Sequence, residues 1–179
     1  MDSEGLEMLF EKMEAGLRAQ EIIMEAWRRR DPSRDFIVWT EDFDFARMAP
    51  ELAHISILSS DGRDFRFRLA GTGILAAFGC EPKGLAPADI DICRSSNTWS
   101  ELANRALARL QPVSGRTRLE DGTIHYWLRL PMANDDGTVD TVLCHDRYLA
   151  PELGDDPDAA CKEANRRLRL DTHGLLAAA

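Results

Sequence analysis

The chain has 179 residues and a formal net charge of −9, from 22 Lys and Arg against 31 Asp and Glu. At about 150 residues per domain this is one domain with extensions, and its acidic balance argues against general attraction to nucleic acid or anionic membranes, because the field of the whole molecule repels polyanions. No apolar run approaches the roughly 18 residues of a membrane span, and Asp2, Glu4 and Glu7 stand where a secretory signal would be positive, so a cytoplasmic protein is expected.

Residues 1–30 read as one amphipathic helix. Leu6, Phe10, Met13, Leu17, Gln20, Met24 and Trp27 are spaced alternately four and three apart, the a/d seam of a coiled coil, with Gln20 the one polar member. Leu9, Ile22 and Ile23 widen that stripe, as a helix docked on its own domain would also need. Both uses are open; the length of the seam, about three heptads, favours a homodimer through Leu6, Phe10, Met13, Leu17, Met24 and Trp27.

Asp31-Pro32 ends this helix, because proline disfavours a helical conformation in the residue before it. Phe36 to Thr40 reads as extended, and Asp42 to Leu52 as a short helical or looped lead into a strand near Ile55. Strict alternation in Phe65-Arg66-Phe67-Arg68-Leu69 marks a second strand. It breaks at Gly71-Thr72-Gly73 and leads into a short apolar helix closed by Gly79. Leu102, Ala106 and Leu110 then mark a helix from about 98 to 110, stopped by Pro112.

A meander follows. Asp121-Gly122 carries the signature of a two-residue hairpin turn. Closing it there pairs Leu119 with Ile124, Thr117 with Tyr126, Gly115 with Leu128 and Val113 with Leu130 on one apolar face. Arg116 opposite Trp127 and Arg118 opposite His125 then form a solvated face. A third strand, Val139 to Tyr148, is expected to set Leu128 against Leu143, Tyr126 against His145 and Leu130 against Thr141; its four-residue loop admits other registers. Residues 151–179 read as a helical extension and tail.

The strand Leu52 to Leu58, the alternating Phe65 to Leu69, the Gly71-Thr72-Gly73 break, the short helix to Gly79 and the turn Glu81-Pro82-Lys83-Gly84 together resemble the opening half of a PAS domain. The Arg-x-Arg-Leu-x-Gly-Thr run with its later Phe-Gly and Gly resembles, more narrowly, the single-domain PAS group common in alphaproteobacteria. The resemblance spans residues 27–148 and implies an α+β fold for 31–150: a five-stranded antiparallel sheet with short helices on one face. It further implies a sensory or regulatory module with a pocket lined by Ile55, Ile57, Phe67, Leu69, Leu75, Phe78, Thr117, Tyr126, Leu128, Leu143 and His145. Ordinary core packing is the competing account of each of these side chains.

Light-sensing PAS relatives bond a flavin to cysteine in an Asn-Cys-Arg run; here Ile92 precedes Cys93-Arg94 and polar Ser95-Ser96-Asn97 follows, so photochemistry is not expected. His145 is the best-placed axial ligand for a haem, but haem-binding relatives draw theirs from the helical half, and no histidine lies between His54 and His125. The cofactor is therefore left unassigned. Cys80, Cys93, Cys144 and Cys161 lack metal-site spacing. Cys144 and His145 are neighbours on a strand, point to opposite faces, and cannot pair as nucleophile and base. The expectation is a non-enzymatic, stand-alone module that binds a signalling partner and a small organic ligand in its apolar pocket; a scaffold with a filled core is the alternative.

Overall fold

A computed structural model describes residues 3–29, 38–40, 43–90, 99–120, 122–134 and 136–149, with the side chains of 3–6, 8–9 and 38–39 outside the description. The expectations for Leu6, Cys93 and the 151–179 extension therefore lie outside what is described.

Helix α1 runs Ser3–Arg28. Strand β1 is the pair Val38–Trp39, and a kinked 3-10 segment, Phe45–His54, opens on an Asp44 cap whose carboxylate accepts from the Ala46 amide at 3.1 Å. There follow β2 (Ile55–Ser60), β3 (Phe65–Ala70), α2 (Thr72–Phe78), a 3-10 turn at Pro87–Asp89, α3 (Ser100–Arg109), β4 (Val113–Arg118), β5 (Ile124–Ala133) and β6 (Thr141–Leu149). Five antiparallel strands lie in the order β4-β5-β6-β2-β3, and β1 adds two residues in parallel beside the far end of β5. With short helices on one face, this is the expected α+β, PAS-like architecture.

The glycine break after β3 has a steric cause. A Cβ at Gly71 would run into the Leu52 and Ala53 carbonyls, and one at Gly73 would sit 2.8 Å from the Ala53 oxygen and 2.9 Å from His54 Nδ1. Only glycine lets the start of α2 pass so close to the 3-10 segment. The outer strands β3 and β4 expose Arg66 and Arg68, and Arg116 and Arg118. Charge along a sheet edge opposes pairing with another chain.

Two registers differ from those the sequence suggested. Between β4 and β5 the chain takes a longer connection: the Leu119 amide donates to the Thr123 carbonyl at 2.8 Å, and Gly122 adopts φ +84°. Asp-Gly suits this loop as well as the two-residue turn, since both need a left-handed glycine. The pairing becomes Arg118 with Ile124, Arg116 with Tyr126 and Ser114 with Leu128, while Thr117 opposes His125 and Gly115 opposes Trp127. One residue of slip exchanges the two faces of β4. The ring of Trp127 then covers Gly115, where a Cβ would approach it to 2.5 Å, and its Nε1 donates to Thr117 Oγ1 at 3.1 Å. Between β5 and β6 the slip is two residues: Leu128 pairs with His145 and Leu130 with Leu143. A two-residue slip preserves the faces, so Leu128, Leu130, Leu143 and His145 still share one.

That shared face is covered by α1. Ile23 and Trp27 pack with Phe43, Met48, Ile55, Leu128, Leu130, Met132 and Leu143; Phe10, Met13 and Leu17 pack on Ile124, Tyr126 and Leu149. Trp27 Nε1 donates to the Pro131 carbonyl at 2.8 Å, so the indole buries its ring without stranding its polar tip. The coiled-coil seam is thus spent inside the molecule. Docking, the alternative to dimerisation, is what the structure has, and a homodimer through Met13 and Trp27 would require α1 to leave its sheet. On the other face Leu58, Phe65, Phe67, Val142 and Cys144 meet Ile90, Trp99 and Ala103. No residue of β5 remains solvated, because both faces are covered. The expected solvated face at His125 and Trp127 is instead core.

Candidate functional site

The face opposite α1, here the inner face, buries three charged or titratable side chains on two adjacent strands. His125 and Arg129 alternate on β5; Asp146 lies on β6 opposite Trp127, midway between them. All three are fully withdrawn from solvent. Asp146 Oδ1 accepts from Arg129 Nη2 at 2.8 Å and from His125 Nε2 at 2.6 Å, Oδ2 accepts from Arg129 Nη1 at 3.1 Å, and Nη1 also donates to the Leu128 carbonyl at 2.9 Å. The bidentate geometry and the extra donors offset the heavy desolvation of a buried ion pair.

Protonation follows from these contacts. Burial pushes the Asp146 carboxyl up, but the Arg129 charge and the His125 hydrogen bond outweigh it and hold the pKa below the usual value. For Arg129 burial acts downward and is outweighed by Asp146, so its pKa is raised. His125 is lowered, chiefly by burial, against the pull of Asp146. The network at neutral pH is thus a guanidinium, a carboxylate and a neutral imidazole donating from Nε2.

Aromatic rings enclose it. Trp99, at the start of α3, lies over the Arg129 guanidinium at 4.3 Å and stands 5.1 Å from Phe67 and 5.5 Å from Phe78, centroid to centroid. Tyr148 stacks on His125 at 4.2 Å with 13° between planes. Trp99 Nε1 is buried and has no hydrogen-bond partner among the described residues. Cys144, buried beside this group, has its thiol pushed up to about 12, chiefly by burial. It is held as a thiol and not a thiolate.

The residues expected to line one pocket divide between the faces. Phe67 and Phe78 belong to the aromatic roof, and Thr117 to the inner face beside His125. Ile57, Tyr126, Leu128, Leu143 and His145 lie on the α1 face, Ile57 of β2 through its pairing with Leu143 of β6. Leu75 is half-buried in α2, and Leu69 is 49% exposed at the sheet edge. A bulge between the Ile57 and Leu58 pairings sets Leu69 on the opposite side from Phe67, which breaks the alternation that had joined them. His125, Arg129 and Asp146 were missed as a group. Their signal was present as polar residues alternating through strands whose other positions are apolar, together with a widened apolar stripe in α1 able to cover the sheet's other face.

His145 belongs to a separate cluster between β6 and the 3-10 segment. Its Nε2 donates to Glu51 Oε2 at 2.9 Å; Arg147 donates to the same oxygen at 3.1 Å and to Oε1 at 2.8 Å. His54 meets His145 edge to face at 6.2 Å. Among the described residues no three His, Cys, Asp or Glu side chains converge as a metal site requires.

No family profile matches the chain, and no curated protein matches it. Solved structures with a similar course include a light-oxygen-voltage domain studied with a flavin analogue (14% identity, 73% of this chain and 97% of that one, TM-score 0.45). An RNA-binding light-oxygen-voltage receptor (15%, 71% and 38%, TM-score 0.43) and the light state of the Aureochrome1 LOV domain (13%, 64% and 92%, TM-score 0.41) are others. The fold assignment here rests on this chain's own strand order and helix placement. No helix among the described residues is long and apolar enough to cross a membrane.

Proposed function

We propose that the chain is a non-catalytic, cytoplasmic regulatory module of the single-domain PAS kind that its Phe65 to Gly84 run resembles. It binds a partner protein and alters that binding when its sheet rearranges. The observation that supports this reading is the alternation along β5 and β6. His125, Arg129 and Asp146 join the inner network, while Tyr126, Leu128 and Leu143 on the same strands meet α1 or the core beneath it. A shift at the inner face therefore moves the bed on which α1 lies. A small organic ligand that favours one arrangement of Trp99 and Arg129 biases the position of α1 by its differential affinity. The non-catalytic reading is supported by the same groups: the imidazole and carboxylate are tied to each other and the carboxylate to Arg129, and Cys144 is an unactivated thiol.

The filled-core alternative has an observation of its own, the mutual edge contacts of Phe67, Phe78 and Trp99 at 5.1 to 5.6 Å. Native mass spectrometry of the freshly purified chain, joined to hydrogen exchange of α1, separates the two. A retained small molecule whose removal speeds exchange in α1 supports the sensor. No retained molecule, and no change in α1 across a metabolite panel, removes the ligand and leaves an interaction module.

A further inference from the structure

Five large apolar side chains are exposed among the described residues, and three of them, Leu52, Leu69 and Leu85, border the edge strand β3. Backbone contacts place them there. Leu69 is part of β3, the Leu85 carbonyl accepts the Phe67 amide at 3.0 Å, and the Leu52 carbonyl lies against Gly71, one residue past the strand's end. Single exposed leucines are ordinary on any surface, whereas a group gathered at one edge marks a place where something docks. Leu69 also ends an apolar row. Leu130 pairs with Leu143, Leu143 with Ile57 and Ile57 with Leu69. Burial is complete at the first two, which α1 covers, and falls away to half-exposed at Leu69. Helix α1 covers the centre of the row and leaves its β3 end open.

Charge decides the occupant. Residues 61–85 hold four cations, Arg63, Arg66, Arg68 and Lys83, against three acids, a balance of +1 in a chain of −9. The acids stand away from Leu69 along the chain. Asp61 and Asp64 lie in the turn before β3, and Glu81 accepts the Lys83 amide within its own turn at 3.1 Å. Arg66 donates to the Gly84 carbonyl at 3.1 Å, but Arg68 is exposed, adjoins Leu69 at the bulge, and forms no ion pair with a described residue. Strand addition is closed at Phe67, whose amide and carbonyl are already taken by Leu85 and Gly84. An occupant must therefore meet this edge with side chains, offering carboxylates beside an apolar stripe, the pattern of an amphipathic acidic helix. We propose that the β3 edge around Arg68 and Leu69 is the docking surface for such a helix from a partner protein; this rests on the partner-binding reading above and gives it a place and a chemistry. The charge that keeps β3 from pairing with copies of itself selects an acidic partner. A helix seated on Leu69 touches the end of the row whose centre bears α1, so partner and α1 share one layer of side chains.

The probe is a fluorescein-labelled peptide of about 18 residues, long enough to be helical, with a leucine stripe at helical spacing, glutamate beside it and alanine elsewhere. It is titrated with the full chain and read by anisotropy. Saturable binding is expected, against the repulsion of the chain's net charge. Arg68→Glu and Leu69→Asn, both changes at exposed side chains, should each weaken it about fivefold. Hydrogen exchange should slow in residues 66–70 when the peptide is bound. Arg116→Glu, at an exposed arginine of the opposite edge strand β4, should leave the affinity unchanged. No saturable binding, or an equal loss from Arg116→Glu, overturns the proposal. So does sedimentation in which the native chain self-associates and Arg68→Glu does not, which puts a second copy on this edge. A docked peptide on a chain whose α1 responds to no ligand keeps this surface and removes the regulatory reading. An α1 that responds to a ligand, in a chain that ignores the peptide, does the reverse.

Discussion

On the inner face of β5 and β6 an arginine, a carboxylate and a histidine are all withdrawn from water. On the other side of the sheet the same three residue types meet with two of them still touching solvent. Arg129, Asp146 and His125 all stand on two hydrogen-bonded strands and are fully buried. Arg147 and His145 stand on β6, but their carboxylate, Glu51, comes from the 3-10 segment, and the side chains of Arg147 and Glu51 are 21% and 13% exposed. The first group is built into the sheet and cannot separate without unpairing strands. The second is a clasp between the sheet and a kinked 3-10 segment, whose hydrogen-bond geometry is poorer than that of an α-helix. One chemistry thus serves two ends: the inner network fixes the register of β5 on β6, and the outer one fixes where the chain enters the sheet.

The comparison breaks first at Arg129. Arg129→Met leaves the Asp146 carboxylate buried without its cation, and removing one partner of a buried pair costs about 3–5 kcal/mol. Urea unfolding should show that loss, and Arg129→Met/Asp146→Leu should recover most of it, since an apolar pair of similar volume is tolerated where a lone charge is not. A double variant no better than the single one would mean that the guanidinium contributes through Trp99 and the Leu128 carbonyl, and not through Asp146.

Glu51→Gln tests the outer clasp and should cost less. The amide keeps one acceptor oxygen for His145 or Arg147, and Arg147 still reaches water, so the loss is about 1–2 kcal/mol, that of a charged hydrogen bond weakened but not orphaned. Hydrogen exchange should locate the effect in residues 45–54 and the start of α2, where His54 lies against Gly73. A loss as large as that at Arg129 would make the two clusters equivalent and remove the distinction between scaffold and clasp.

How far the sequence foretold this is set by which features are insensitive to a one-residue shift. Helix α1, the existence of strand β3, the glycine break and the order of strands and helices depend on periodicity and punctuation, and they stand, whereas the alternation of β3 ends at its bulge before Leu69. The composition of the pocket depends on which face each strand residue takes, and at β4 that hung on one Asp-Gly pair that fits two loop lengths. The slip carried Thr117 to the inner face with His125 and left Tyr126 and Leu128 under α1. The same ambiguity hid the network. His125 and Arg129 resemble solvated strand residues until α1 is docked, and α1 has a seam that equally suits a coiled coil. The expected register set Asp146 directly opposite His125; the two-residue slip moves it opposite Trp127, between His125 and Arg129, so Arg129 was the partner it lacked.

The pH dependence sharpens the comparison at its finest scale. His125 and His54 both have pKa values lowered from 6.5, each chiefly by burial. In the unfolded chain they take up protons at a higher pH than in the folded one, so the stability they contribute is present above about pH 6.5 and is lost as pH falls through their folded values. The Glu51 and Asp146 carboxyls are also lowered, below 4.5 and 3.8, by their partners acting against burial, and their contribution is lost only at more acid pH. Unfolding free energy should therefore fall in two stages, histidines first. His125→Gln, which keeps a donor for Asp146, should reduce the first stage to the share of His54 and leave the second in place. Glu51→Gln should do the reverse, apart from the small part of the first stage that its charge exerts on His54. If His125→Gln leaves the first stage at full size, the imidazole exchanges its proton without disturbing the inner network, and the sheet does not sense the protonation of its own core.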